Sequence, residues 1–256
     1  MVAELVTYER RGSAALVTIN RPERRNAVDG PTADLLGECF ERFESDAEAR
    51  VFVLTGAGDA AFCAGADLKN IESLGPRLDR PEGPLGFTRR IASKPTIAAI
   101  SGWCLAGGLE LALWCDLRIA AADAKLGFPE RRWGVPLIDG GTQRLPRIVG
   151  LGRGLDMILS GRIVDAPEAR EMGLVTEVVP DGRHLERALE YAEGLASFPQ
   201  ETMLADRRAA IAGIGLSFEE GLALEAKSGA ETLEVAWRGA QRFAGGEGRG
   251  GAGAGV

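Results

Sequence analysis

Residues 96–121, TIAAISGWCLAGGLELALWCDLRIAA, constrain the fold more than any other stretch of this chain. Pro95 punctuates the start of an apolar run that reads as a buried strand over 96–102. A helical pattern follows from about 107 to 115, and LRIAA at 117–121 reads as another strand. Gly107 and Gly108 stand where the helix begins, and Glu110 follows them. Glycine weakens a helix by about 0.5–1 kcal/mol relative to alanine, so the pair marks a turn or a place where backbone must approach something closely. A helix opening after such a turn offers N–H groups without backbone acceptors, which suits negative charge. Tight packing of the turn explains the same glycines equally well.

Elsewhere the pattern is similar. AALVTI at 14–19 and VFVLTGAG at 51–58 read as buried strands, with a loop and then a helix opening near Pro31 between them. Apolar strands alternating with helices predict an α/β chain whose strands are mostly parallel and buried. From about residue 184 only helical patterns remain: HLERALEYAEGLASF, QETMLADRRAAIAGI and SFEEGLALEAKSGAETLEVAWRGAQRF, broken by Pro199, Gly213 and Gly215. The expected organisation is a core domain over 1–183, a helical region over 184–243 and a glycine-rich tail over 244–256. That tail is too poor in large apolar residues to repay its ordering entropy and is expected to be disordered. No internal repeat is visible.

Composition removes several function classes. A net charge of −7 lacks the basic footprint of nucleic-acid binding. No apolar run approaches the roughly 18 residues of a membrane span, so neither nucleic acid nor membrane is an expected partner. The start, MVAELVTYERRGSAALVTIN, carries charges where a secretory leader has an apolar segment, and a cytoplasmic protein is expected. Cys39, Cys63, Cys104 and Cys115 match neither zinc spacing nor a redox pair and are expected to be reduced and buried. The single histidine, His184, begins an amphipathic helix and reads as a surface residue, which leaves no histidine triad or metal cluster.

Two further stretches bear on chemistry. AAFCAGADLK, residues 60–69, is a second small-residue turn just after a strand. Two such turns can aim two backbone N–H groups at one oxygen, and loss of one such donor typically costs about 10²–10³ in rate. KLGFPERRWGVPLIDGGTQRLPR, residues 125–147, places Glu130 after a short strand and Pro129. The chain between Glu110 and Glu130 leaves room for helix, strand and turn to bring the carboxyls together. Facing carboxylates can hold one water and divide acid and base roles when their neighbours move their pKa values apart. Alone each is ordinary: Glu110 could serve the helix dipole, and Glu130 could be a solvated loop residue.

In order along residues 4–243 stand INRPERRNAV, FCAGADLK, ISGWCLAGGLELALWCDLRIA, LGFPERRWGV, GGTQRLPRIVG and LSGRIVDAPEAREMGLVTEVVP. This series resembles the crotonase, or enoyl-CoA hydratase, superfamily. The resemblance implies a ββα superhelix with a helical C-terminal trimerisation region, assembled as a homotrimer or a dimer of trimers. It implies an acyl-CoA thioester substrate, with no metal and no cofactor beyond the coenzyme A of the substrate. By motif position, the N–H groups of Ala66 and Gly107 would hold the thioester oxygen. Glu110 would take a proton from water adding to C3, and Glu130 would supply the proton to C2. Ala64, Asp67, Leu68 and Lys69 fall beside the expected path of coenzyme A, and Arg24 and Ala27 near its nucleotide end. The chain departs from the hydratase pattern after Glu130, where smaller residues and a Pro-Gly pair are usual before Gly-Gly-Thr. Here Arg131, Arg132 and Trp133 could support the site or line the acyl pocket, and Ile138 and Asp139 replace the Pro-Gly pair. Asp139 is a third acid near the loop where isomerase members place theirs, and the alternative for it is a cap on the next turn. The competing activities are an enoyl-CoA isomerase, a specialised hydroxyacyl-CoA dehydratase and a catalytically silent acyl-CoA binding member.

Overall fold

The computed structural model describes residues 4–247. Val6–Arg11 (β1) and Ala14–Ile19 (β2) form an antiparallel hairpin. Gly30–Ser45 (α1) follows, capped by Asp29, whose side chain accepts from the Thr32 N–H, with Pro31 in the first turn. Then come Val51–Gly56 (β3), Ala61–Cys63 (β4), Thr96–Ile100 (β5), Trp103–Leu105 (β6), Gly107–Trp114 (α2), Leu117–Ala121 (β7) and Lys125–Gly127 (β8). Gly141–Val149 (α3), Leu151–Ser160 (α4), Ile163–Asp165 (β9), Ala166–Glu171 (α5) and Glu177–Val179 (β10) complete the mixed part. His184–Ser197 (α6), Gln200–Ala212 (α7), Phe218–Ala230 (α8) and Leu233–Ala244 (α9) are helices only.

The strands form two sheets, ordered β1-β2-β3-β5-β7-β10 and β4-β6-β8-β9. Among the strand pairs of the described residues, only β1–β2 and β8–β9 are antiparallel. From β3 to β8 the chain visits the sheets alternately, so each pair of consecutive strands gives one strand to each sheet. The corner between β5 and β6 needs Gly102, at φ +52°, where a Cβ would run into the Ala60 carbonyl. The repeat is therefore one of geometry, with no counterpart in the sequence. Every residue of β3 and β5 is buried, which is why both read as unbroken apolar runs. Phe40 and Phe43 of α1 pack with Phe52, Phe87 and Trp114, the Phe87 and Trp114 rings lying 4.4 Å apart. Such aromatic pairs add about 0.5–1.5 kcal/mol each beyond their area.

The chain divides into two compact units after Ala192, inside α6, whereas the sequence places the change of texture at the start of that helix. Several local expectations are corrected. The stretch 217–243 is two helices: α8 ends at Ala230, and the Thr232 hydroxyl bonds the Gly229 carbonyl at the break. His184 is buried, with burial pushing its pKa down, because it shares the buried face of its helix with Ala188 and Ala192. The four cysteines are free thiols, but Cys39 is only half-buried. At the start of the expected tail Ala244 still belongs to α9, and residues 248–256 lie outside the described residues. Among the described residues no helix is long and apolar enough to cross a membrane, and no cluster of ligating side chains is arranged for a metal ion.

Candidate active site

The end of β4 and the start of α2 meet where the sequence places its small residues. At Gly108 a Cβ would run into the Cys63 carbonyl of β4, so this glycine admits the helix against the sheet. Gly107 borders the second turn: a Cβ there would stand 3.6 Å from the Ala66 nitrogen. Ala106 between strand and helix has φ +54°, an uncommon conformation for a residue with a side chain and a point of local strain. The Ala66 turn is clamped from the other side. Val28 N–H donates to the Gly65 carbonyl, and Asp67 N–H to the Val28 carbonyl, both at 2.8 Å. In that parallel pairing the N–H of Ala66 points away from residue 28. Arg21 locks the clamp from within, reaching Asp29 and Asp67 at 3.0 Å each and the Ala27 carbonyl. The backbone turns at Ala66 and at Gly107, the first residue of α2, thus lie side by side.

They border a cavity of about 330 Å³ with mostly apolar walls. Glu110 and Glu130 both line it and are 3% and 6% exposed. Glu110 sits in the first turn of α2, and its Oε1 accepts from the N–H groups of Asp139 at 3.0 Å and Gly141 at 2.8 Å. Gly141 must be small to do this, since a Cβ there would stand 3.0 Å from that same oxygen. Burial, and next the charge of Asp139, push the Glu110 pKa up to about 8. Glu130 stands in the short 3-10 turn Pro129–Trp133 after β8. Neither of its carboxyl oxygens has a hydrogen-bond partner among the described residues, and burial pushes its pKa up to about 7. Two buried, easily protonated carboxyls beside two backbone donors can exchange protons with a molecule whose oxygen the donors hold.

A family model for enoyl-CoA hydratase/isomerase matches residues 9–245. A probable enoyl-CoA hydratase of Rhizobium meliloti is 40% identical over 231 residues, covering 88% of each chain. A short-chain-enoyl-CoA hydratase of Clostridium acetobutylicum is 36% identical over 90% of each. The crystal structure of enoyl-CoA hydratase EchA1 from Mycobacterium marinum superposes with a TM-score of 0.87 at 35% identity, covering 94% of this chain and 95% of that one. The chain belongs to the enoyl-CoA hydratase/isomerase family. Its two alternating sheets and helical C-terminal portion are the crotonase fold of that family.

Of the residues singled out in the sequence for hydratase/isomerase chemistry, Ala64, Ala66, Leu68, Gly107, Glu110, Glu130, Trp133 and Asp139 line this one cavity. Asp67, Lys69, Arg24 and Ala27 are not among its lining residues. Asp67 is buried against Arg21, Ala27 is buried with its carbonyl bound by Arg21, and Lys69 and Arg24 are exposed. Asp139 does not cap α3; its carboxyl turns to the Leu85 N–H and the Thr88 hydroxyl. Sequence reasoning missed Ile71, Leu74 and Leu78, which form the apolar wall with Leu68. Their spacing of three and four residues from Leu68 onward was the available signal. It also missed Arg21, which stands in the INRPERRNAV block but shows its role only through its ion pairs with Asp29 and Asp67.

Proposed function

We propose that this protein is an enoyl-CoA hydratase that adds water reversibly to a 2-enoyl-CoA thioester to give a 3-hydroxyacyl-CoA. The observation that carries the reading is the pair of buried carboxyls, Glu110 and Glu130, in the wall of one apolar cavity beside the N–H groups of Ala66 and Gly107. The thioester oxygen accepts from those two N–H groups, which stabilise the negative charge that gathers on it as C3 is attacked. Oε1 of Glu110 is already held by two N–H groups, so Oε2 takes the proton of the attacking water. Glu130, protonated, delivers its proton to C2. Dehydration runs the same steps backwards: Glu130 removes the C2 proton, and Glu110 protonates the departing hydroxyl. In either direction the pair works with one proton between the two carboxyls, which is why raised pKa values near neutrality suit the task. A water between the carboxyls would also give Glu130 the partner that the protein does not provide.

Coenzyme A arrives as part of the substrate, and the reaction needs no resident cofactor. The acyl chain lies along Leu68, Ile71, Leu74 and Leu78, in a cavity that Trp133 also lines. Such a surface fits a fatty acyl chain of the kind degraded by β-oxidation in the cytoplasm. The second compact unit exposes Phe218, Leu222, Trp237 and Phe243. An exposed apolar set of that kind supports assembly through the C-terminal helices into a trimer or a dimer of trimers. The test is to mix purified protein with crotonyl-CoA and follow loss of the enoyl-thioester absorbance. Formation of 3-hydroxybutyryl-CoA is expected; binding of the ester without turnover would replace the hydratase by a silent binding protein.

A further inference from the structure

The hydration chemistry leaves one acid of the cavity wall unused. Asp139 is 3% exposed and lines the same cavity as the two glutamates. A buried carboxyl is costly unless bound, and this one is bound: Oδ1 accepts from the Leu85 N–H at 3.1 Å and from the Thr88 hydroxyl. Arg144 ties the same two segments, donating from Nη1 to the Asp139 carbonyl at 2.8 Å and from Nη2 to the Thr88 carbonyl at 2.5 Å. The main chain at 139 and 141 is, in turn, what holds Glu110 Oε1. An unbroken series of bonds therefore runs from the 85–88 segment through Asp139 to Glu110.

We infer that Asp139 is a positioning residue for Glu110: its carboxyl pins the 139–141 turn to the 85–88 segment, so that the turn's two N–H groups hold Oε1 and leave Oε2 for the substrate. This inference deepens the hydratase reading and rests on it. The side chain also sets a negative charge beside Glu110. The other charged groups facing Glu110 are Glu130 from the 3-10 turn and Arg144 from α3, while Asp139 itself faces Arg89 and Arg144. A fixed negative neighbour disfavours the ionised form of Glu110. Anchor and charge are separable by substitution, because an amide can replace the first without the second.

Asp139→Asn keeps an oxygen for Leu85 and Thr88 and removes the charge; Thr88→Val weakens the anchor and keeps the charge. Two readouts apply: the pH profile of kcat/KM with crotonyl-CoA, and a carbon-13 titration of the Glu110 carboxyl, assigned by its disappearance in Glu110→Gln. In Asp139→Asn the Glu110 midpoint should fall by about one pH unit, and the alkaline limb of the profile should move down with it. Thr88→Val should lower kcat about tenfold with KM little changed and the limb in place. Wild-type kcat in Thr88→Val would overturn the anchoring, and an unmoved Glu110 midpoint in Asp139→Asn would overturn the effect of the charge. The titration needs no turnover, so an inactive wild type would defeat the hydratase reading while the carboxyl signal still decides the role of Asp139. If Asp139→Asn does not fold, the kcat and KM of Thr88→Val carry the test.

Discussion

Glu110 and Glu130 line one cavity, but the wall that carries Glu110 supplies its carboxyl with two N–H partners while the wall that carries Glu130 supplies none. The first wall is regular structure: α2 is wedged against β4 by Gly108, and the turn at 139–141 is fixed behind it. The second is a single 3-10 turn. An unpaired buried polar group costs about 1–3 kcal/mol, a penalty that a water or substrate bound at Glu130 would relieve. The contrast teaches which group is the fixed reference and which is completed on binding. On the proposed reading, Glu110 has its geometry set before the substrate arrives, and Glu130 would take its partner from the substrate or its water.

The largest effect should come from removing proton exchange at each wall in turn. Glu110→Gln and Glu130→Gln should each lower kcat by about 10²–10⁴, with affinity for the CoA ester nearly intact, in steady-state kinetics and equilibrium binding. If only one of them lowers turnover, the two walls do not share the chemistry. Next is the clamp behind the donor turn. Arg21→Ala strands Asp29 and Asp67 as buried charges and should cost about 3–5 kcal/mol in denaturant unfolding, with loss of activity as the Ala66 N–H is released. The smallest effect is on stability against pH. Both glutamates have folded-state pKa values raised above the ordinary carboxyl value of 4.5, to about 8 and about 7. The folded state therefore binds the extra protons, and their stabilising contribution is complete in acid and is lost as pH rises from about 4.5 through those values. Thermal melts should show Glu110→Gln gaining a few degrees on the wild type at pH 8 and less at pH 5, with a smaller gain for Glu130→Gln.

How much of this was legible follows the length of the elements. The runs at 14–19 and 117–121 coincide with β2 and β7, and α2 begins at Gly107, because long apolar runs and glycine punctuation are local signals. β4, β6, β9 and β10 have three residues each and lie below what periodicity resolves; of the short strands only β8, before Glu130, was read, so the alternation between two sheets was not visible. At the cavity, the small residues around Ala66 and Gly107 and the two glutamates could be read from sequence as belonging together, since each sits in a short motif. The partners of the Glu110 carboxyl could not, because the N–H groups of Asp139 and Gly141 carry no side-chain signature and are brought in by tertiary packing. The roles of Arg21 and Asp67 were hidden for the same reason: each is an ordinary charged residue until the fold buries it.

The claim that both carboxyls act on one enoyl thioester is tested most directly by running the reaction with crotonyl-CoA in water enriched in heavy oxygen and deuterium. Mass spectrometry then shows where each label enters. The account predicts product with heavy oxygen at C3 and one deuterium at C2, both lost together in Glu130→Gln. Deuterium entering at C4 without heavy oxygen at C3 would contradict it, since that pattern belongs to double-bond migration and not to hydration.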